Sequence, residues 1–502
     1  MRAIARQILA LRQSLAPDGS VIINKMTGAV AAEMAAIFSD DAFLGLPTKY
    51  QYSFLDFVHS VYAATFHSSA PTMAAVVQKV FQAYLAKGGA PPARLHKTYD
   101  FLYYLYWCAA TSIEQQREFD SGVVIPFSRY LSRHRKPDMA PSGASPARRS
   151  GRVRLCYMVE FAYDGEGNAL SVVADTALAS LSAHYAAEYE LFLYAWRYKD
   201  PKFVERIKSS GVTVRTFDLT EYSEEELSRL RQSFKEDYID VVLTDMNSAV
   251  PHDLFHGRVA PIQIFYQLGL PFWGARNVDA VFQGWQIAPE GLGFNPEQCH
   301  LVHAPKSARV TPPVDWAAVR TERHQFPASK FTIGFYGRLV KITRTQCDLI
   351  HRILQHRSDT IAVLGGTGDA GPILDFIKEH KLEQRMFVVN RFVDGHVWGR
   401  FLDVFLDTFP LTGGYSCREV VAKGKPVVHM LSEEMPNMND FLDPDLQASN
   451  AEEYVAHVVR LLDDPAFYRR ACRRALEISG RYTDTKPFAA TFHAALQKVL
   501  QN

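Results

Sequence analysis

Phe405-Leu-Asp-Thr-Phe-Pro-Leu-Thr-Gly-Gly-Tyr-Ser-Cys-Arg-Glu419, continued by Val-Val-Ala-Lys-Gly424-Lys-Pro426-Val-Val, is the stretch that decides the fold. A short apolar run enters a Gly-Gly turn and leaves it as a helix, which is the joint from which parallel sheets are wound. The same alternation recurs on both sides. Upstream come strand 331–336, helix 345–355, strand 360–364, helix 372–380, strand 386–389, helix 396–401 and strand 403–406; downstream, helix 416–423 and strand 426–429. An earlier series begins at residue 153, with strands expected at 153–159, 190–196, 212–217 and 239–244 and helices at 171–185, 202–210 and 223–234. Two doubly wound domains in tandem, with a ligand cleft between their strand ends, are the expected architecture.

The remaining chain frames these two units. Residues 1–135 read as an all-α domain, with apolar residues at mixed three and four spacing in 53–66, 72–86 and 98–112 and a heavily aromatic run at 101–107 that reads as buried helix. Residues 136–152, dense in Pro, Gly, Ser and Arg, read as a linker. The expected domains are therefore 1–135, 153–325 and 326–502, with helices 451–464 and 465–479 crossing back over both α/β units.

Bulk properties narrow the function. The 502 residues carry 55 basic and 54 acidic side chains, a balance that gives no footprint for a nucleic-acid partner. The six cysteines, at 108, 156, 299, 347, 417 and 472, are scattered without ligand spacing and read as reduced thiols rather than a disulfide framework or zinc site. No run of about 18 apolar residues is present, so no transmembrane segment is expected and the expected location is cytoplasmic. Peripheral contact with a membrane surface stays open.

The Gly413-Gly414 turn offers backbone N–H groups and a helix start to a phosphate or diphosphate, and glycine lets the oxygens come close. Gly413, Gly414, Tyr415 and Ser416 are the phosphate-loop candidates, and Glu419, one turn on, can accept from two ribose hydroxyls. Ser416-x-x-Glu419 also spells a capping box, which needs no ligand. Neighbouring strand ends decide between the two. Arg338 and Lys341 follow the strand 331–336, and His396 opens a helix just past the strand 386–389, with Arg391 at the same rim. Cations, a histidine and a Gly-Gly helix start on one rim suit a pyrophosphate leaving group with no metal and no other cofactor. Asp443-Pro-Asp445 lies in a turn near the C-terminus, not where a metal-binding Asp-x-Asp is used. For a base, the loop after the strand 239–244 offers Asp245, His252, Asp253 and His256. It is expected to face the cleft, with His252 the first choice and His256 the second.

Ala260-Pro-Ile-Gln263, Lys341, Asp394-Gly-His396-Val and Leu406-Asp-Thr408 through Gly424-x-Pro426 resemble, in order and context, the O-GlcNAc transferase family, which includes bacterial protein glycosyltransferases. The likeness runs from about residue 153 to the C-terminus and is strongest over 331–430. It implies a GT-B fold, α/β with two Rossmann-like domains facing a cleft, here preceded by an all-α domain and without tetratricopeptide repeats. It implies a UDP-sugar donor, an acceptor domain at 153–325 and a donor domain at 326–502. By resemblance, Lys341 stabilises the departing diphosphate, His396 meets the uridine, Gly414–Ser416 bind phosphate and Glu419 replaces a ribose-binding aspartate. Departures are Gly414-Tyr-Ser416 for His-Thr-Thr, Gly269-Leu-Pro271 for the usual Gly-His/Tyr-Pro, and Glu160-Phe-Ala-Tyr-Asp164 without the family histidine.

The resulting expectation is an inverting, metal-independent glycosyltransferase moving a hexosyl or N-acetylhexosaminyl group from a nucleotide sugar to a protein side chain. Two alternatives stand beside it. One is a retaining GT-B transferase of lipopolysaccharide or capsule synthesis, against which Thr412 occupies the position where an acidic residue is usual. The other is a non-catalytic nucleotide-sugar-binding or scaffold protein.

Overall fold

The computed structural model describes residues 45–47, 50, 51, 55, 70–87, 92–110, 112–135, 151–163, 169–197, 199–268, 273–275, 277–284, 295–303, 314–328, 330–432, 439 and 441–501. The expected helix 53–66 except Leu55, the linker up to residue 150, the 164–167 loop and the 269–271 turn lie outside these.

Among the described residues the helical region holds α1 (Ala70–Lys87), α2 (Pro92–Ala109), α3 (Ile113–Phe119) and α4 (Ile125–His134), with a π-helical turn at Asp120–Val124. Their seam is aromatic: Tyr99 stacks on Phe127 at 4.5 Å, and Phe81 meets both. Of the 101–107 run, Phe101, Leu102, Tyr103 and Leu105 are buried as expected, whereas Trp107 is exposed.

The first α/β unit runs β1 (Val153–Val159), α5 (Ala169–Tyr185), β2 (Tyr189–Ala195), α6 (Pro201–Ser209), β3 (Thr213–Thr216), α7 (Glu224–Glu236), β4 (Val241–Thr244), α8 (Ala249–His256), β5 (Ile262–Gln267), β6 (Ala280–Gln283) and β7 (Cys299–Leu301). The second, entered through α9 (Trp316–Arg323), runs β8 (Phe331–Tyr336), α10 (Arg344–His356), β9 (Thr360–Gly366), α11 (Gly371–Glu379), β10 (Met386–Asn390), α12 (Gly395–Phe401), β11 (Val404–Leu406), α13 (Tyr415–Val421), β12 (Val427–Met430) and β13 (Gln447–Ala448). It closes with α14 (Ala451–Asp463), α15 (Pro465–Thr483) and α16 (Thr485–Gln501).

Both sheets are parallel, ordered β3-β2-β1-β4-β5-β6-β7 and β10-β9-β8-β11-β12-β13. Each therefore reverses direction of growth once, between β1 and β4 and between β8 and β11, and a ligand crevice opens outside the carboxyl ends there. Strands covered on both faces explain the near-continuous apolar runs of the sequence: all seven residues of β9 are buried.

One face of the first sheet shares its core with the helical region through Phe127, Leu254, Phe265 and Trp273. The other face is covered by α5 and by α16, whose Ala489, Phe492 and Leu496 are fully buried there. Tyr189 on β2 meets His493 Nδ1 at 2.7 Å. This corrects the expectation for 451–464 and 465–479: α14 and α15 stay on the second unit's core, and the crossing is made by α16, beyond both. Phe492→Ala should destabilise the protein by about 3–5 kcal/mol through the cavity left in the first unit, read as a lower urea midpoint with an unchanged slope.

Candidate functional site

The crevice between β8 and β11 collects most of the donor-side candidates. Lys341 ends a 3-10 turn, Leu339–Lys341, immediately after β8. Its Nζ donates to the Thr412 carbonyl at 2.5 Å. Burial brings the ammonium down to about 7, and the charge of Arg338 pushes the same way, opposed by Asp407.

The loop after β11 is organised by a residue whose role the sequence did not disclose. Asp407 is fully buried. Its Oδ1 accepts from the Thr408 and Gly413 amides at 2.9 and 2.5 Å, and its Oδ2 meets His429 Nδ1 and Asn439 Nδ2, each at 2.8 Å. Burial alone would raise this carboxyl. The His429 hydrogen bond and charge and the Gly413 amide outweigh burial and hold it below the usual carboxylate range. Its backbone carbonyl accepts from Gln346 on α10 and Tyr454 on α14. Leu406-Asp-Thr408 stood out as a motif, but His429 and Asn439 lie 22 and 32 residues away.

The turn itself does not form the capping box. Gly414 is the N-cap of α13 with φ 59°, a left-handed conformation that glycine adopts without penalty, and no side chain caps the helix. Ser416 Oγ instead donates to the Gly413 carbonyl at 3.1 Å.

Glu419 is held against β8 and α12. Tyr336 OH donates to its Oε2 at 3.2 Å, and a Cβ at Gly395 would come within 2.5 Å of that oxygen and 2.7 Å of the Tyr336 ring, so a side chain there would displace one of them. Next to Gly395, the His396 amide donates to Asp394 Oδ1 at 2.7 Å, while its ring Nδ1 is buried without a hydrogen-bond partner, as is Thr412 Oγ1. Burial, then the charge of Lys423, holds the His396 ring below its ordinary value, which keeps it neutral. Lys423, buried one turn beyond Glu419, donates to the Glu419 carbonyl at 2.9 Å. The structure thus brings Lys341, His396, Gly413, Gly414, Tyr415, Ser416 and Glu419 to one rim and adds Asp407, His429, Tyr336 and Lys423. Among the described residues no three His, Cys, Asp or Glu side chains gather as a metal-binding group.

Four candidates are engaged elsewhere. Arg391 forms a two-pronged ion pair with Glu322 on α9 at 2.8 and 2.9 Å. Arg338 sits over the Trp107 ring at 5.3 Å and donates to the Trp107 carbonyl, so its guanidinium bridges to α2. The histidines require a larger correction. The segment expected to be a cleft-facing loop is the helix α8, and Asp253 ties it to the helical region through His96 on α2 and Arg135 after α4, and to α7 through Arg231. His252 is 0% exposed, stacked on Trp273 at 4.0 Å, and meets Asn247 Oδ1 through Nε2 at 2.5 Å. His256 lies between Ser128 and Ser132 of α4, and burial brings it down to about 4. Both rings are thus engaged in the packing of α8 against its neighbours.

No family model matches the sequence, and no curated protein does. Solved structures do match. A mutant of the O-GlcNAc transferase of Thermobaculum terrenum aligns with TM-score 0.61 at 16% identity, over 99% of this chain and 98% of that one. The Anabaena protein HepE, solved with UDP and glucose, aligns with TM-score 0.51 at 13% identity, over 69% of this chain and 100% of that one. A glycosyltransferase from Rickettsia africae gives TM-score 0.51 at 11% identity, over 70% and 99%. The fold is GT-B. At these identities the likeness concerns the fold, and no helix among the described residues is long and apolar enough to cross a membrane.

Asp407→Ala removes the partner of two amides, His429 and Asn439 at once. We expect a loss of about 3–5 kcal/mol in chemical denaturation at neutral pH. The loss should shrink in acid, because a carboxyl held below its unfolded value stabilises the fold above about pH 4 and loses that effect as pH falls through its folded value.

Proposed function

We propose that this chain is an inverting, metal-independent glycosyltransferase that takes a sugar from a UDP-sugar and delivers it to a protein side chain. The observation that carries the reading is Lys341, a half-buried cation donating to the Thr412 carbonyl at the edge of the Gly413–Ser416 loop, at the switch point of the second sheet. A diphosphate in that crevice would lie beside the ammonium and the uncapped first turn of α13. Charge develops on the diphosphate as the anomeric bond breaks, and a fixed cation and amides meet it with little reorganisation. Neutral His396 suits a base edge, and Glu419 suits a pair of ribose hydroxyls.

Three further considerations support the reading. HepE is a GT-B neighbour solved with UDP and glucose. The alignment with the Thermobaculum O-GlcNAc transferase extends over nearly the whole chain, the helical region included, which favours a protein acceptor. At position 412 a threonine stands where a retaining enzyme of this shape usually carries an acid.

Lys341→Ala should lower turnover on a UDP-sugar by about 10²–10³-fold, the scale for removing one transition-state donor, with the UDP dissociation constant changed far less. Steady-state UDP release beside calorimetric UDP binding separates the two, and unchanged turnover would exclude the role. Glu419→Ala should weaken UDP binding by about 1.5–3 kcal/mol, the range for a lost charged hydrogen bond, and an unaltered dissociation constant would leave Glu419 a structural partner of Tyr336.

A further inference from the structure

The first sheet has its own switch point, between the carboxyl ends of β1 and β4. Glu160 follows β1 and Asp245 follows β4, while β5 and β6, next along the sheet, end on Gln267 and Gln283. These side chains are 1%, 7%, 1% and 6% exposed. Glu160 is paired with Arg197 at 2.9 Å. All four leave buried atoms without a hydrogen-bond partner: both Glu160 oxygens, Asp245 Oδ1, both polar atoms of Gln267, and Gln283 Nε2. Gln267 and Gln283 are register partners, so their amides stand side by side. Folded proteins leave few such groups unpaired, and a row of them on adjacent strand ends calls for a ligand that completes the pairing.

Helix α2 fixes where this mouth lies. Tyr103 is within electrostatic reach of Asp245, Glu160 and Asp100, and Trp107, one turn further, carries Arg338 from the loop that ends in Lys341. Four residues of helix span about 6 Å. From the opposite side, Tyr266 on β5 is within reach of both Asp245 and Arg418 of α13. The mouth of the first sheet and the Lys341 loop are thus linked through α2 on one side and through Tyr266 and Arg418 on the other.

We propose that Asp245 is the catalytic residue that takes the proton of an acceptor hydroxyl, with Gln267 and Gln283 holding that acceptor at the mouth of the first sheet. The assignment rests on the glycosyl transfer proposed above. The acceptor oxygen forms its bond to the anomeric carbon, the bond from that carbon to the diphosphate breaks, and its electron pair leaves with UDP beside Lys341. The hydroxyl proton passes to Asp245 Oδ1, and nothing is oxidised or reduced. Burial pushes the Asp245 carboxyl up to about 7, against the hydrogen bond donated by Tyr157 OH at 2.9 Å, and a base in this range works at neutral pH. The titratable and charged groups around it are Tyr157 on β1, Tyr266 on β5 and Tyr103 on α2. Behind Tyr103 lie Asp100 and the Glu160–Arg197 pair, and across the cleft lies Arg418.

The test uses the full chain with UDP-glucose, UDP-galactose and UDP-N-acetylglucosamine, water serving as acceptor. UDP release is followed from about pH 5.5 to 9, with calorimetric UDP binding alongside. Wild-type release should rise through about pH 7. Asp245→Asn should lose on the order of 10²-fold in turnover and that limb of the profile, with UDP affinity kept within about twofold. Tyr157→Phe should move the limb to higher pH, because the hydrogen bond that lowers the carboxyl is gone. Turnover at the wild-type rate in Asp245→Asn, or loss of its UDP binding, overturns the assignment while the donor reading stands on the wild type. If Asp245→Asn does not fold, an unshifted limb in Tyr157→Phe overturns it instead. A wild type that neither binds UDP nor releases it from any of the three sugars removes the donor reading and Asp245 together.

Discussion

The site depends on one buried carboxylate. Asp407 would be an expensive group to bury if it stood alone, since an ion taken from water needs its lone pairs filled. Here two loop amides, a histidine and an asparagine fill them, and they come from separate parts of the chain. Its own carbonyl adds α10 and α14 through Gln346 and Tyr454. The consequence is geometric. Gly413 is pulled back onto β11, Gly414 is forced into a left-handed turn, and α13 begins without a side-chain cap. The Thr412 carbonyl is then left where Lys341 can reach it. A negative charge inside the loop also sustains the cation outside it, opposing the burial that brings Lys341 down.

A second constraint links the halves. Helix α2 is packed into the core of the first unit, yet its Trp107 touches Arg338 on the loop that carries Lys341. Helix α16, last in the chain, is built into the first unit's core after the chain has completed the second sheet. The two units are thus joined at their ends as well as through the connection before β8. Reorienting one against the other must act on the Arg338–Trp107 contact, where a cation stacked on an exposed ring tolerates sliding better than a buried ion pair would.

What the sequence disclosed follows from what local pattern can encode. Parallel strands covered on both faces need apolar runs, so β1, β8, β9 and β11 were legible, and the Gly-Gly turn marked the joint before α13. Residues on one rim were legible because strand ends fix their place: Lys341 after β8, His396 after β10, Glu419 one turn into α13. The rest is tertiary. Arg391 met Glu322, 69 residues away, and no spacing rule announces such a pair. Ser416-x-x-Glu419 spells a cap, but Gly414 already occupied the N-cap position and Tyr336 claimed the glutamate. Ala249–His256, only eight residues with a proline at the third, carries no helical signature long enough to read. It is a helix because Asp253 and its partners hold it down; His252 is buried with it, and His256 is taken up by Ser128 and Ser132 of α4.

The two sheets have the same order along β1 to β6 and β8 to β13, and their switch points differ in what they hold. The second carries a lysine lowered to about 7, the first an aspartate raised to about 7, and burial is the first cause of both shifts. Burial disfavours the charged form of each. Under the proposed reaction the donor would act on both. A diphosphate beside Lys341 favours its charged form, as an anion within a few ångströms does for any ammonium. The same negative charge works against the Asp245 carboxylate, and the hydrogen bond donated by Tyr157 OH at 2.9 Å is what opposes it.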